Sequence, residues 1–281
     1  MIKFGPAGNC KTFYAAGYKK SVEAPKWLKE IGLTAYEYSF GRGITLGDET
    51  AIELGEQAKK YGIDVSIHAP YYINFANPDP DKIENSIMYV VNSLEKLKLI
   101  GGKRLVVHPA SCGKLDRAEA LKLAHNNLLL LKERLDILGF SDYLICLETM
   151  GKPAQIGTYK EIVDMCKLSP NFIPTIDFGH INALTQGSLK TEDDYREIIS
   201  YIFNELGEEK AKKIHIHFSK IEYGAKGEIR HLTLEDEIYG PEFAPLAKVL
   251  KEFNVSPVVI CESNEVMAKD ALNLKEIYDN V

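Results

Sequence analysis

Runs dominated by apolar residues, short enough to be strands, recur along the whole chain at 2–4, 35–40, 65–68, 104–108, 143–148, 172–177, 214–218 and 257–262. Between them lie longer stretches in which apolar positions return every three or four residues, at 48–61, 81–99, 117–138, 159–168, 192–206, 244–253 and 266–278. That period marks a helix with one buried face. The connection at 22–31 is the least regular. Strand and helix thus alternate, which requires parallel strands joined by crossover helices. Eight repeats favour closure into a single (β/α)₈ TIM barrel over residues 1–281, with its chemistry at the C-terminal ends of the strands. The alternative is an open doubly wound sheet. Against it, no early strand-to-helix connection carries a G-x-G-x-x-G cradle or a G-K-[ST] loop, and Phe4-Gly-Pro-Ala-Gly8 has the wrong glycine spacing and reads as a turn. No linker, low-complexity run or repeat marks a second domain.

The residues that close the runs are uniform in type. The third run ends Ser66-Ile-His-Ala-Pro-Tyr71, the fourth Val106-Val-His-Pro-Ala110 and the fifth Cys146-Leu-Glu-Thr149. The sixth ends Ile176-Asp-Phe-Gly-His180, the seventh Ile214-His-Ile-His-Phe-Ser-Lys220 and the eighth Ile260-Cys-Glu-Ser263. One histidine or carboxylate at a strand end is ordinarily a solvated or hydrogen-bonded group; six consecutive strands ending in His, His, Glu, Asp, His and Glu form a pattern. Of seven histidines, His68, His108, His180, His215 and His231 lie at or just after such ends. His125 falls inside a helical stretch and reads as structural, while His217 shares the parity of His215 and sits a step further toward the loop. Asp177 and His180, three apart, point to opposite faces of a strand and converge only if the chain turns between them. Gly179 is placed to make that turn.

Composition changes this picture little. With 45% hydrophobic and 26% charged residues the chain is that of a soluble globular protein, and no stretch approaches the roughly 20 apolar residues of a membrane span. Five cysteines without C-x-x-C spacing indicate neither a disulfide framework nor a thiolate zinc site. Together with an N-terminus that begins directly with a strand-like run, they give the expectation of a cytoplasmic protein. The formal net charge of −6 argues against holding nucleic acid by bulk electrostatics, although bound cations would alter that sum locally.

Imidazoles and carboxylates without thiolates suit zinc, manganese or iron in an open catalytic site. Three of each exceed what one four-coordinate ion needs, so a cluster of two or more ions is expected, bridged by a carboxylate such as Glu148. Such sites clamp the attacking and leaving oxygens of a displacement at phosphorus.

From Ile63 to Glu262 the chain resembles the endonuclease IV family of apurinic/apyrimidinic (AP) endonucleases, trinuclear zinc (β/α)₈ barrels. The likeness is carried by H-A-P-Y (68–71) with I-N (73–74), H-P (108–109), L-E-T (147–149), D-x-x-H (177–180), H-x-x-x-S-K (215–220) and Glu262. It implies one metal on His68, His108 and a bridging Glu148, and a second on Glu148, Asp177, His215 and Glu262. A third would lie on His180 and a D-x-H pair after strand seven; here the nearest equivalent is E-x-x-H, Glu228 and His231. The expected cofactor is therefore two or three Zn²⁺ ions, with Mn²⁺ or Fe²⁺ as alternatives. The implied activity is hydrolysis of the phosphodiester 5′ to an abasic site in duplex DNA, for base excision repair. A metal-bridged hydroxide, its pKa lowered from about 15.7 to near 7, would attack, with Glu148 as the assisting base. Arg42, Tyr71, Tyr72, Lys220, Lys226 and Arg230 are the candidate DNA contacts. No membrane or protein partner is implied, and a monomer is expected. The alternative function is that of the single-metal, xylose-isomerase-like sugar isomerases and epimerases, for which Glu148, Asp177, His215 and Glu262 form a complete ligand set.

Overall fold

The structure, a computed structural model, describes residues 1–281. The barrel strands are β1 (Lys3–Pro6), β2 (Ala35–Ser39), β3 (Asp64–His68), β4 (Arg104–Val107), β5 (Leu144–Glu148), β6 (Phe172–Asp177), β7 (His215–Phe218) and β8 (Val258–Cys261). All pair in parallel in the order β1, β8, β7, β6, β5, β4, β3, β2. The ring closes between β1 and β2, where Thr34 N donates to Phe4 O at 3.0 Å and Ala7 bridges Glu37. This is a TIM barrel, and every strand-length run foreseen in the sequence forms one of its strands.

Period-2 alternation explains how each strand serves two environments. Tyr36 and Tyr38 of β2, Ile67 of β3, Leu147 of β5 and Ile216 and Phe218 of β7 face the helices. They join a shell of 68 buried residues, with their partly buried neighbours, between barrel and helix ring. Full burial of a Leu, Ile or Phe there contributes roughly 1.5–3 kcal/mol. The opposite parity faces the barrel interior. Its apolar layers are small: Ala35, Val258 and Ile260 form one cluster, and Val106, Cys146 and Ile173 another. The remaining inward positions, including Glu37, Ser66, His68, Glu148, Asp177, His215 and His217, are polar and buried.

Closure depends on one glycine. A Cβ at Gly5 would lie 1.9 Å from the carbonyl oxygen of Ala35 on β2, so the two backbones approach as closely as they do because β1 has no side chain there. Gly5→Ala must push the seam apart, and we expect a loss of about 3 kcal/mol or more of unfolding free energy. Denaturant unfolding of the two proteins checks this; an unchanged midpoint would mean that the seam is not tight.

The helices form Ala24–Ile31, Asp48–Tyr61, Pro80–Ile100, Arg117–Ile137, Tyr159–Cys166, Glu192–Leu206, Phe243–Glu252 and Met267–Asn280. Near the barrel mouth, a helix Phe178–Leu184 directly after β6 and the hairpin of Ile221–Gly224 with Gly227–His231 after β7 have no counterpart in the periodicity. No helix is long and apolar enough to cross a membrane.

Candidate metal centre

The C-terminal strand ends converge on Glu148, which is fully buried at the end of β5. Its Oε2 lies 3.0 Å from His68 Nε2 and 3.1 Å from His108 Nε2. Its Oε1 lies 3.2 Å from His217 Nδ1 and 3.4 Å from His180 Nδ1. Each carboxylate oxygen thus serves a different set of imidazoles, the arrangement of a bridging ligand. Above it opens a cavity of about 440 Å³, walled by Tyr71, His108, Met150, Lys152, Gln155 and Glu228 among others.

Three donor groups surround this cavity, each with its ligand atoms within 4.8 Å of one another. The first is His68, His108 and Glu148; the second Glu148, Asp177, His217 and Glu262; the third His180, Glu228 and His231. In the second the strand-seven member is His217 where His215 was expected; His215 falls instead in a deeper donor group with Glu37 and His217. Register decides it: His217 pairs with Asp177, whereas His215 pairs with Thr175, two residues nearer the start of β6. His215 points into the same barrel interior but one layer lower, where its Nε2 meets Glu37 Oε2 at 3.1 Å.

The D-x-x-H pair converges by a route other than a glycine turn. Asp177 caps the helix Phe178–Leu184, its Oδ1 accepting from His180 N at 2.8 Å, and one helical turn carries the His180 ring back over the strand end. Gly179 serves packing: a Cβ there would lie 2.6 Å from Ser219 O and 2.9 Å from Ile221. His180 Nδ1 sits 2.9 Å from Thr149 O, so it carries the hydrogen, and Nε2 faces Glu228 Oε2 at 3.5 Å.

Glu228 and His231, three apart on one strand, should also face opposite ways. The hairpin register shifts between Glu222, paired with Arg230, and Tyr223, paired with Glu228, leaving Ile229 as the extra residue of a bulge. The bulge restores a common face, and Glu228 Oε1 and His231 Nε2 lie 3.9 Å apart. The additional residue of E-x-x-H is absorbed in this way. His231 Nδ1 is held by Ser219 Oγ at 2.8 Å.

Electrostatics also fit a cation cluster. Glu37, Glu148 and Asp177 are completely buried, and no Lys or Arg pairs with any of them; their ionic contacts are all to histidines. Burial disfavours ionised Glu148, yet the facing His217 and His108 outweigh it and hold its carboxyl well below the usual range. Glu262 is likewise held down at about 2, His217 prevailing over burial. Burial pushes Asp177 up to about 6, with Glu262 and Glu148 adding to the effect against His180. Burial opposes protonation of His68, but the hydrogen bond it donates to Glu148 raises it to about 9; His180 and His217 are raised well above the ordinary imidazole value by their acidic neighbours despite the same burial. Asp177 Oδ2 is buried without a hydrogen bond, an orphaned acceptor among acids. Buried carboxylates need compensating charge, and these oxygen and nitrogen donors match what zinc or manganese takes.

The candidate DNA contacts divide. Tyr71 and Tyr72 are about half exposed at the rim, their rings 5.7 Å apart. Arg42 and Lys226 are exposed, the latter at the hairpin turn. Arg230 is exposed but its Nε donates to Glu222 at 2.6 Å. Lys220 departs from the expectation: it is buried, and its Nζ donates to Asp236 O at 2.7 Å and pairs with Glu242 at 2.6 Å, fastening the 232–242 loop instead of facing a ligand. Sequence reasoning missed Glu37 and Lys152. Glu37 carried a signal, since it is the charged residue on the small-residue parity of an otherwise apolar strand; Lys152, in an irregular loop, carried none.

Fold and site together define a metal-binding TIM-barrel enzyme, and the chain belongs to the xylose isomerase-like TIM barrel family, whose model matches residues 25–277. Its relatives divide by activity. It is 33% identical to the uncharacterized protein MJ0133 of Methanocaldococcus jannaschii, over 100% of this chain and 98% of that one. It is 31% identical to a probable endonuclease 4 of Staphylococcus carnosus over 186 residues, 63% of this chain and 60% of the relative. Among solved structures, a D-tagatose 3-epimerase-like protein superposes with a TM-score of 0.74 at 22% identity, over 99% of this chain and 96% of the other. Endonuclease IV from Thermus thermophilus gives 0.64 at 18%, over 99% and 97%. At these identities the two superpositions speak for the fold.

Proposed function

We propose that the protein is a metal-dependent phosphodiester hydrolase of the endonuclease IV type, acting 5′ to abasic sites in duplex DNA. The observation that carries this reading is the third donor group. A single-ion isomerase is complete with Glu148, Asp177, His217 and Glu262, and it has no use for a bulged hairpin that brings Glu228 and His231 to His180. The resemblance to probable endonuclease 4 sequences supports it. Bound divalent ions would supply Lewis acidity and a water acidified toward neutral pH.

The chain's own residues set up the rest. Glu148 holds two imidazole sets in fixed relation, so the reacting phosphate meets a preorganised field. Thr149 O and Ser219 Oγ fix the rings of His180 and His231, keeping their outer nitrogens aimed at Glu228. Tyr71 and Tyr72 stand where aromatic faces would fill the gap beside an extruded abasic sugar, which requires no base to be unstacked. Lys152, 3.9 Å from Glu228 at the cavity wall, offers a cation to a phosphate oxygen.

The second reading, a sugar epimerase, is favoured by one feature: the four-residue group is sufficient for it by itself. A duplex with one abasic site, incubated with the zinc- or manganese-supplied protein, should be incised on the 5′ side, and the purified protein should carry two or three ions. Absence of incision together with interconversion of a keto-sugar and one ion per chain would overturn the nuclease in favour of the epimerase.

A further inference from the structure

Beneath the metal centre lies a second, fully enclosed polar layer. Glu37 on β2, His215 and His217 on β7 are all 0% exposed, and Ser66 on β3 is 3% exposed. Ser66 Oγ donates to Glu37 Oε2 at 2.7 Å, and His215 Nε2 meets the same oxygen at 3.1 Å. The other oxygen, Oε1, lies 2.9 Å from His217 Nε2. Neither atom has an aligned hydrogen-bond partner, each other included, so the contact is a close ionic one. Were Nε2 unprotonated, two electron-rich atoms would stand at that distance in a dry interior with no hydrogen between them. Nε2 therefore carries a hydrogen, which leaves Nδ1, 3.2 and 3.5 Å from Glu148 and Glu262, as the nitrogen that would give its lone pair to a cation held there.

We propose that Glu37 is a positioning residue for the metal centre: it fixes the tautomer and ring orientation of His217, so that Nδ1 is the ligand atom of the Asp177–Glu262 ion. The inference rests on the centre binding metal, and is independent of whether the substrate is DNA or a sugar. It gives β2, which supplies no ligand to the donor groups around the cavity, a share in the chemistry. Carboxylate–histidine–metal linkages of this kind orient the ligand and raise its basicity, and their loss typically weakens metal binding 10–100-fold.

Substitution by glutamine makes a specific prediction. Oε2 already receives two donors, Ser66 and His215, so a glutamine must place its carbonyl oxygen there and its NH₂ group opposite His217. The NH₂ would donate to Nε2 and force the hydrogen onto Nδ1, the wrong tautomer for a ligand. Zn²⁺ competition against a chromophoric chelator should therefore show one tightly held ion in Glu37→Gln weakened roughly 10–100-fold. Ser66→Ala removes a hydrogen bond from the same carboxylate but leaves its charge, and should hold zinc within a few-fold of wild type. Long-range ¹H–¹⁵N spectra of wild-type zinc protein should show His217 protonated at Nε2, a readout that stands even if a variant does not fold. Wild type that takes up no Zn²⁺ would refute the metal centre and the proposal with it. Wild type that binds zinc while Glu37→Gln binds it equally, or with His217 protonated at Nδ1, would overturn the role of Glu37 alone.

Discussion

Glu148→Gln is expected to strip two ions from the centre and abolish the proposed hydrolysis together, with kcat/KM on an abasic duplex falling by about 10³ or more, roughly 4 kcal/mol of transition-state stabilisation. The side chain keeps its shape, so the barrel should fold. What is lost is the charge on which His68, His108, His180 and His217 converge within 3.0–3.4 Å. A neutral amide can accept at only one end; the other presents hydrogens to imidazoles that have to carry lone pairs toward cations. Both the first and the second donor group contain Glu148, so its replacement disables two ion sites at once, whereas loss of His108 or Glu262 disables one. Metal content measured on the same preparation as activity is the check. A variant with its full complement of ions and undiminished turnover would show that Glu148 neither bridges nor assists.

The same geometry shows what a sequence can and cannot disclose. The strands were legible because each inward-facing polar parity interrupts a hydrophobic outward one: Ser66 and His68 alternate with Val65 and Ile67, and Glu148 follows Leu147. Which of two histidines on the same parity reaches the mouth was not legible, because His215 and His217 differ only in depth, and depth is set by the pairing of His217 with Asp177. The turn after β6 was legible as a turn but not as a helix. Its mechanism, Asp177 as cap, depends on a hydrogen bond to the His180 amide that also orients the ligand. In the hairpin, a bulge at Ile229 reconciles E-x-x-H spacing with a common face, and a bulge leaves no mark on hydrophobic periodicity. Lys220 misled for a related reason: a basic residue after a strand end is ordinarily solvated, and only the fold of the 232–242 loop supplies the acceptors, Asp236 O and Glu242, that let it be buried.

The donor arrangement also leaves the metal-free protein in a definite electrostatic state, in which protons stand in for cations. His68 has its pKa raised to about 9, and His180 and His217 are raised well above the ordinary value. A histidine whose folded pKa lies above its unfolded value, about 6.5, contributes stability that is fully present below the unfolded pKa and lost as pH rises through the folded one. Chelator-treated protein should therefore lose stability progressively between about pH 6.5 and 9. On the acid side, Glu262 and Glu148, with depressed values, contribute stability that is present above their unfolded pKa and lost as pH falls toward and below about 2. Asp177, raised to about 6, works against folding as it ionises between its unfolded value and that pH.

Zinc is expected to reverse the alkaline loss, because it would bind the deprotonated imidazoles and displace the protons that neutralised the acids. At a free concentration 1,000 times its dissociation constant, one site would add about 4 kcal/mol, which for a chain of this size raises Tm by roughly 7 °C. The difference in Tm between zinc-loaded and chelator-treated protein should accordingly widen as pH rises from 6.5 to 9, with proton release on titration with zinc falling over the same interval. Two melting curves that stay parallel across that window would mean that these histidines are not the groups exchanging protons for metal.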